Sequence, residues 1–361
     1  MAQLQSTTFN DTAHVTLPVG STAQRPTPSL GMLRYNNSMQ VLEWYNGTIW
    51  QPVTGYSAGT IGSGGQSITF RNGGIIHQFT NVGSHTFTPA FTGTVQVFIV
   101  AGGGGGAGSH GGGGGAGGVI LNRAFPVTAG TPYPITVGGG GAATGYGSFA
   151  TNGGNSVFSS STAIGGGGGG PWDSASQAGS GGSGGGAGSS SADSSRYVVL
   201  GGNGTQGQGF PGGSGRRFNR QTDNQHGSGG GGGAGGEGYT HSDDRYEHFT
   251  PDGGPGMATD ILGEILYFAG GGGAGPHLNP GGGGAGGIGG GGGGGCHHGS
   301  PLRPPNPSFN QGLGGGRALN NGQPAPSQTT GGSAGANTGG GGGGGNGGPQ
   351  SGGSGIVVIR Y

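Results

Sequence analysis

The chain has 361 residues, of which 107 are glycine and 21 proline, and only 28% are hydrophobic. Twelve arginines, with no lysine, balance twelve acidic residues, so the net charge is zero. These values exclude a conventional apolar core for a chain this long, the basic footprint of a nucleic-acid binder and, since no apolar run approaches ~20 residues, a membrane-spanning helix.

Residues 1–55 differ from the rest. Met32–Tyr35 and Val41–Tyr45 read as short strands joined by Asn36-Asn37-Ser38, and Asn46-Gly47 gives a tight turn leading into Thr48-Ile49-Trp50. So small a meander holds too little core to stand alone, which predicts packing on a partner or oligomerisation. Met1–Asn10 lack a charged start and an apolar stretch, so no signal peptide is expected and synthesis in a cytoplasm is.

A Gly/Ser linker is expected over 56–65. Strands follow at Ser67–Phe70, Ile75–Thr80, His85–Thr88 and Thr94–Val100, with Val119–Phe125 and Tyr133–Val137 between the first glycine clusters. Those clusters share one form, four or five glycines, an alanine, then glycine: Gly102–Gly108, Gly111–Gly118, Gly229–Gly236, Gly270–Gly275 and Gly281–Gly287. Pure runs occur at Gly165–Gly170, Gly289–Gly295 and Gly339–Gly345.

Contiguous glycine does not suit collagen, which needs glycine at every third position with prolines between. It suits a polyproline II-type helix, rising about 3.1 Å per residue and making no internal hydrogen bonds. Its amides and carbonyls must then find partners on neighbouring helices, within this chain or on another, and only glycine lets the backbones come that close. The lone alanine of each cluster is expected to face out of such a bundle. The apolar end Ile356–Tyr361 is expected to pair with Thr94–Val100 and close a domain spanning 66–361. The fold class expected is mainly β with a polyglycine II bundle and almost no α-helix.

Irregular inserts interrupt the arrays at about 171–200, 203–228, 237–268, 296–313 and 317–338, with Ile261–Phe268 reading as a packing strand or short helix. Aromatic and charged residues concentrate in these inserts. Trp172, Tyr197, Arg216, Arg217, Phe218, Arg220, Tyr239, His241, Tyr246, His248 and Phe249 are the contact candidates. Aromatic faces stack on the apolar side of a pyranose, and guanidinium groups clamp carboxylates and phosphates. The competing reading has them packing loop to loop or against a sister subunit.

Cys296-His297-His298 is the only metal-like cluster, but adjacent ligands seldom reach one ion, so an exposed polar loop is the favoured reading. Asp243, Asp244, Glu247 and His248 crowd one loop, whereas a glycosidase needs two carboxyl groups about 5–10 Å apart across a cleft. No nucleophile elbow, P-loop or dinucleotide fingerprint occurs in a suitable context. Neither an enzyme nor a cofactor is expected.

Two stretches carry a resemblance. Leu17–Pro26, Gly31–Asn36 and Leu42–Trp50 are similar to a module recurrent in tailed-phage virion proteins, especially tail fibres. Thr94–Val137 with the closing Gly352–Tyr361 resembles the glycine-rich domain of phage tail proteins. The arrays also resemble the tip adhesins of T-even-like long tail fibres, although this chain has a fibre-type N-terminal module of its own. The resemblance implies a virion tail fibre or receptor-binding adhesin, homo-oligomeric and trimeric, joined to other tail proteins through its N-terminal module. Its loops would meet a bacterial glycan or surface protein. The alternative it leaves open is a structural virion part: head decoration, neck or baseplate.

Overall fold

The computed structural model describes residues 17–39, 41–53, 61–71, 73–172, 174, 176–189, 198–217, 226–240, 251–275, 282–295, 312–327, 329–345 and 347–361. Among these the only helix is one 3-10 turn at Thr22–Gln24, and the rest is strand, turn and extended glycine. The fold is mainly β with a glycine-rich domain, as expected.

Its organising element is the last strand. Ile356–Arg360 is the middle strand of a five-stranded sheet ordered Ser67–Arg71, Gly74–Phe79, Ile356–Arg360, Gly93–Val100, Val119–Val127, with every neighbouring pair antiparallel. The expected pairing with Thr94–Val100 is therefore present, with Ile356 opposite Val100 and Arg360 opposite Gln96.

Both faces of that sheet are buried, so its central strands are apolar throughout rather than alternating. One face sends Phe79, Val95, Val97, Ile99, Val357 and Ile359 against a four-stranded sheet made by Ser161–Ala163, Ser156–Phe158, Tyr133–Val137 and Gly83–Phe87. The other sends Ile76, Phe98, Val100, Ile356 and Val358 against Ile261, Leu262, Phe268 and Ala116. The Ile261–Phe268 segment contributes Leu266–Phe268, a strand paired with Met257–Thr259, so it is packing as expected.

The glycine arrays continue directly from the sandwich strands: Val100 leads into Ala101-Gly102, and Gly118 leads into Val119. Residues 111–118 lie at the centre of the array and are fully buried. Their amides point at three neighbours in turn. Gly112, Gly115 and Gly118 donate to Gly170, Gly167 and Ile164, while Gly113 and Ala116 donate to Gly229 and Gly232. Gly114 and Gly117 donate to Gly342 and Gly339.

Their carbonyls serve three other segments. Gly112 and Gly115 accept from Ala107 and Gly104; Gly113 and Ala116 accept from Gly186 and Ser183; Gly111 and Gly114 accept from Gly275 and Gly272. Each partner thus recurs every third residue, the periodicity of polyglycine II, and six neighbours surround one helix. All these partners belong to the same chain.

Glycine is enforced sterically. A Cβ placed on Gly112, Gly113 or Gly114 would strike the carbonyl oxygens of Gly186, Gly272 and Gly104 respectively, all backbone atoms that cannot swing aside. The core is a lattice of backbone hydrogen bonds, each contributing about 0.5–1.5 kcal/mol net where an apolar core would contribute buried side-chain area. Amide side chains finish its edges. Asn152 accepts from Gly168 N at 2.9 Å and donates to Ser180 O at 2.9 Å, and Gln208 accepts from Ile164 N at 2.8 Å, each doing the work of one more peptide group.

Three expectations need correction. Three of the five cluster alanines do not face outward: Ala107, Ala116 and Ala274 are fully buried, while Ala234 and Ala285 are partly buried. Ala116 belongs to the buried cluster that also holds Ile76 and Phe98. The linker expected at 56–65 already belongs to the sandwich by its last residues, because Ser63 bridges Thr88 and Gly62 N donates to the Tyr361 hydroxyl at 2.8 Å. The Asn46-Gly47 turn is longer than two residues. Tyr45 pairs with Trp50, and Asn46 Oδ1 accepts from Thr48 N and Ile49 N to shape the four-residue loop.

The N-terminal sheet runs Val19–Gly20, Leu33–Asn36, Val41–Tyr45, Trp50–Pro52. It is built with its polar face inward. Glu43 is buried beneath Arg25 (2.6 Å), Arg34 (2.9 Å) and Asn36 (3.1 Å). Burial alone would raise the Glu43 carboxyl, but hydrogen bonds from Arg25 and Asn36 and the charges of both arginines hold it below the ordinary carboxylate range.

Candidate functional site

The direction of each glycine helix places its loops. Residues 102–107 leave the sandwich, turn at Ser109-His110 and return as 111–118, so Ser109-His110 marks the lattice end remote from the sheets. Around residues 111–113 lie Gly170, Gly186, Gly229 and Gly275, and Ala107 accepts from Gly345, whose neighbour Gly344 accepts from Gly295. Of these, Gly170, Gly229 and Gly295 directly precede or follow one of the inserts. Trp172, Ser189, Gly275, Gly295 and Gly345 each end a described stretch at this end of the lattice.

The N-terminal sheet lies at the opposite end. Val41 packs with Phe70 and Ile75, flanked by Met39, Ile61 and Tyr361, all at the margin of the sandwich away from the lattice. The molecule is therefore polar in layout: N-terminal sheet, sandwich, lattice, insert ends.

Of the expected contact residues, Trp172 is partly buried and meets the His110 ring edge-on, with centroids 5.1 Å apart. Tyr239 is 56% exposed while its backbone is locked into the lattice, accepting from Gly230 N and donating to Asp252 O, both at 3.0 Å. Arg216 and Arg217 lie on a short strand, Gly215–Arg217, between Val198–Val199 and His226–Gly227. Tyr197, Phe218, Arg220, His241, Tyr246, His248 and Phe249 lie outside the described residues, as do Cys296, His297 and His298.

Three adjoining turns at the far end hold aromatic residues that the sequence reading passed over. Tyr146 (76% exposed) and Phe149 (39% exposed) sit on the turn at 144–149, and His110 lies beside Trp172. The turns are linked pairwise: Gly108 N donates to Thr144 O at 2.9 Å, Ala150 N to Gly169 O at 3.1 Å, and Gly112 N to Gly170 O at 3.0 Å. The available signal was the hexapeptide Thr144-Gly145-Tyr146-Gly147-Ser148-Phe149, where two aromatics stand among turn formers.

A family model described as a glycine-rich domain matches residues 80–334, most of the chain. The chain belongs to the glycine-rich domain family. No curated protein matches it. The glycine-rich domain, as matched, includes the first arrays and most of the inserts but stops short of Ile356–Arg360, although that strand is the centre of the sheet on which the lattice is built.

Proposed function

We propose that this protein is a tailed-phage virion appendage, a tail fibre or receptor-binding adhesin, which meets the bacterial surface through the far end of its glycine lattice. The observation that carries this reading is the opposition of the two ends. Turns and insert ends gather at one, and the N-terminal sheet resembling a fibre module stands at the other. A binding protein needs that separation; a part enclosed by neighbours does not.

Rigidity supplies the physical advantage. Loops whose bases are fixed by interlocking backbone hydrogen bonds lose less entropy on engaging a ligand. Assembly of several copies, a trimer in this proposal, multiplies weak contacts through high effective concentration.

The N-terminal sheet supports attachment or assembly. Its outer face presents Val19, Leu33, Tyr35 and Trp44, while its arginines and Glu43 face in. An apolar outer face over a polar inner one suits a sheet that is covered by protein in its working state. In this reading the protein needs no cofactor and catalyses no reaction, and its place is the virion.

The test is competition: purified full-length protein is expected to coat susceptible cells and block adsorption of the phage. Failure of correctly assembled protein to bind any strain would favour a structural virion part.

A further inference from the structure

We infer that the three linked turns at 108–111, 144–149 and 170–172 form a carbohydrate-binding site for neutral hexose units, an inference that rests on the adhesin reading and gives its ligand a chemical class. Four observations converge. Tyr146 and Phe149 expose ring surface on one turn, and Trp172 is backed by His110 on its neighbours. The turns are joined by backbone bonds, so they stand at the spacing of hydrogen-bonded extended chains, about 5 Å.

No arginine, lysine, aspartate or glutamate occurs in these three turns, and Ser109, Thr144 and Ser148 supply hydroxyls to the same turns as the rings. Turns that carry rings and hydroxyls and no charged side chain of their own match a neutral pyranose, which offers an apolar C–H face and a rim of hydroxyls. An acidic sugar or a phosphate would call for guanidinium groups here.

The backbone is also held in a costly conformation. Ser109 and His110 are consecutive non-glycine residues with φ of 52° and 61°, in a chain with glycine to spare. Side chains occupy both positions where glycine would relieve the strain, which points to a use for them. Thr144 braces the neighbouring turn by donating to Ser148 O at 2.8 Å.

The experiment probes the full-length protein against printed neutral gluco-, galacto-, manno- and N-acetylhexosamine oligosaccharides, beside sialylated and phosphorylated ones, and in parallel against a panel of bacterial strains. Neutral oligosaccharides are expected to bind. Tyr146→Ala or Phe149→Ala, both on exposed side chains, is expected to weaken that binding about tenfold with melting temperature unchanged.

Sugar binding that neither variant alters, or binding confined to the acidic probes, overturns the site. Adsorption to cells that protease treatment abolishes, with no oligosaccharide held, identifies a protein receptor; the adhesin reading then stands and the sugar assignment fails. Variant-sensitive sugar binding without adsorption to any strain supports the site and counts against the adhesin reading. No binding of either kind removes both.

Discussion

The Tyr361 hydroxyl lies 2.9 Å from Nε2 of His77, and its ring stacks on the imidazole with centroids 5.6 Å apart. His77 Nδ1 is 2.7 Å from Gly64 O, a pure acceptor, so the neutral ring carries its proton on Nδ1. Nε2 then accepts from Tyr361, whose oxygen in turn accepts from Gly62 N. This chain of bonds ties the end of the central strand to the start of the sandwich.

The His77 network makes stability depend on pH. Burial lowers the pKa of His77 from 6.5, partly offset by its bond to Gly64. The unfolded chain therefore takes up this proton before the folded one does. The contribution of the neutral ring is complete above about pH 6.5 and is lost as pH falls from there toward the depressed folded value. Melting temperature is expected to drop between pH 7.5 and 5, and His77→Gln to flatten that part of the profile. Tyr361→Phe leaves Nε2 without this donor and is expected to cost about 1–3 kcal/mol in a denaturant titration at pH 7.5.

Substitutions of glycine separate lattice from loop. Gly113→Ala drives a methyl group into Gly272 O inside the lattice and is expected to abolish folding or cost more than ~4 kcal/mol. Gly316→Ala meets nothing within 4 Å and is expected to be neutral or to stabilise by up to about 1 kcal/mol. Paired thermal melts check both.

Glu43 is the keystone of the N-terminal sheet. Glu43→Ala leaves Arg34 buried without its carboxylate and takes the partner from the half-buried Arg25, so a loss of about 3–5 kcal/mol is expected. The loss should be local. Hydrogen exchange is expected to rise through residues 33–52 while the lattice amides at 112–117 stay protected.

The central strand has no substitute. Val358→Asp places a carboxylate between Phe98 and Gln78, in the apolar cluster that holds Ile76, on a strand buried on both faces, and melted-out or aggregated protein is expected in place of a cooperative transition. Circular dichroism with a thermal ramp distinguishes these from a folded variant.

Much of this architecture was legible in the sequence because period-two apolar runs and glycine runs are strong local signals. Val41–Tyr45 and Tyr133–Val137 are strands with the bounds their residues indicate, and Ile356–Tyr361 could only be buried. The alanines were misread because the sequence says that a methyl group is tolerated there, not which slot it fills. Ala116 shares a buried cluster with Phe98 and Ile356, a grouping no local pattern contains.

The candidate site was less legible. Trp172 stood out by its size, but Tyr146 and Phe149 lie in a short turn that resembles any other Gly/Ser loop. Their importance comes from adjacency to residues 108–111 and 170–172, which the lattice register creates. That register is set by which glycine helix neighbours which, and identical glycine runs carry no mark of it.

The most direct test of the central claim is adsorption of full-length protein to susceptible cells, before and after combining Tyr146→Ala and Phe149→Ala with replacement of residues 218–225 and 241–250 by short glycine linkers. The account predicts that the intact protein binds and competes with the phage, while the replaced form keeps its melting temperature and loses most of its binding. A replaced form that adsorbs as well as the intact protein would contradict the assignment of the lattice's far end as the surface that meets the cell.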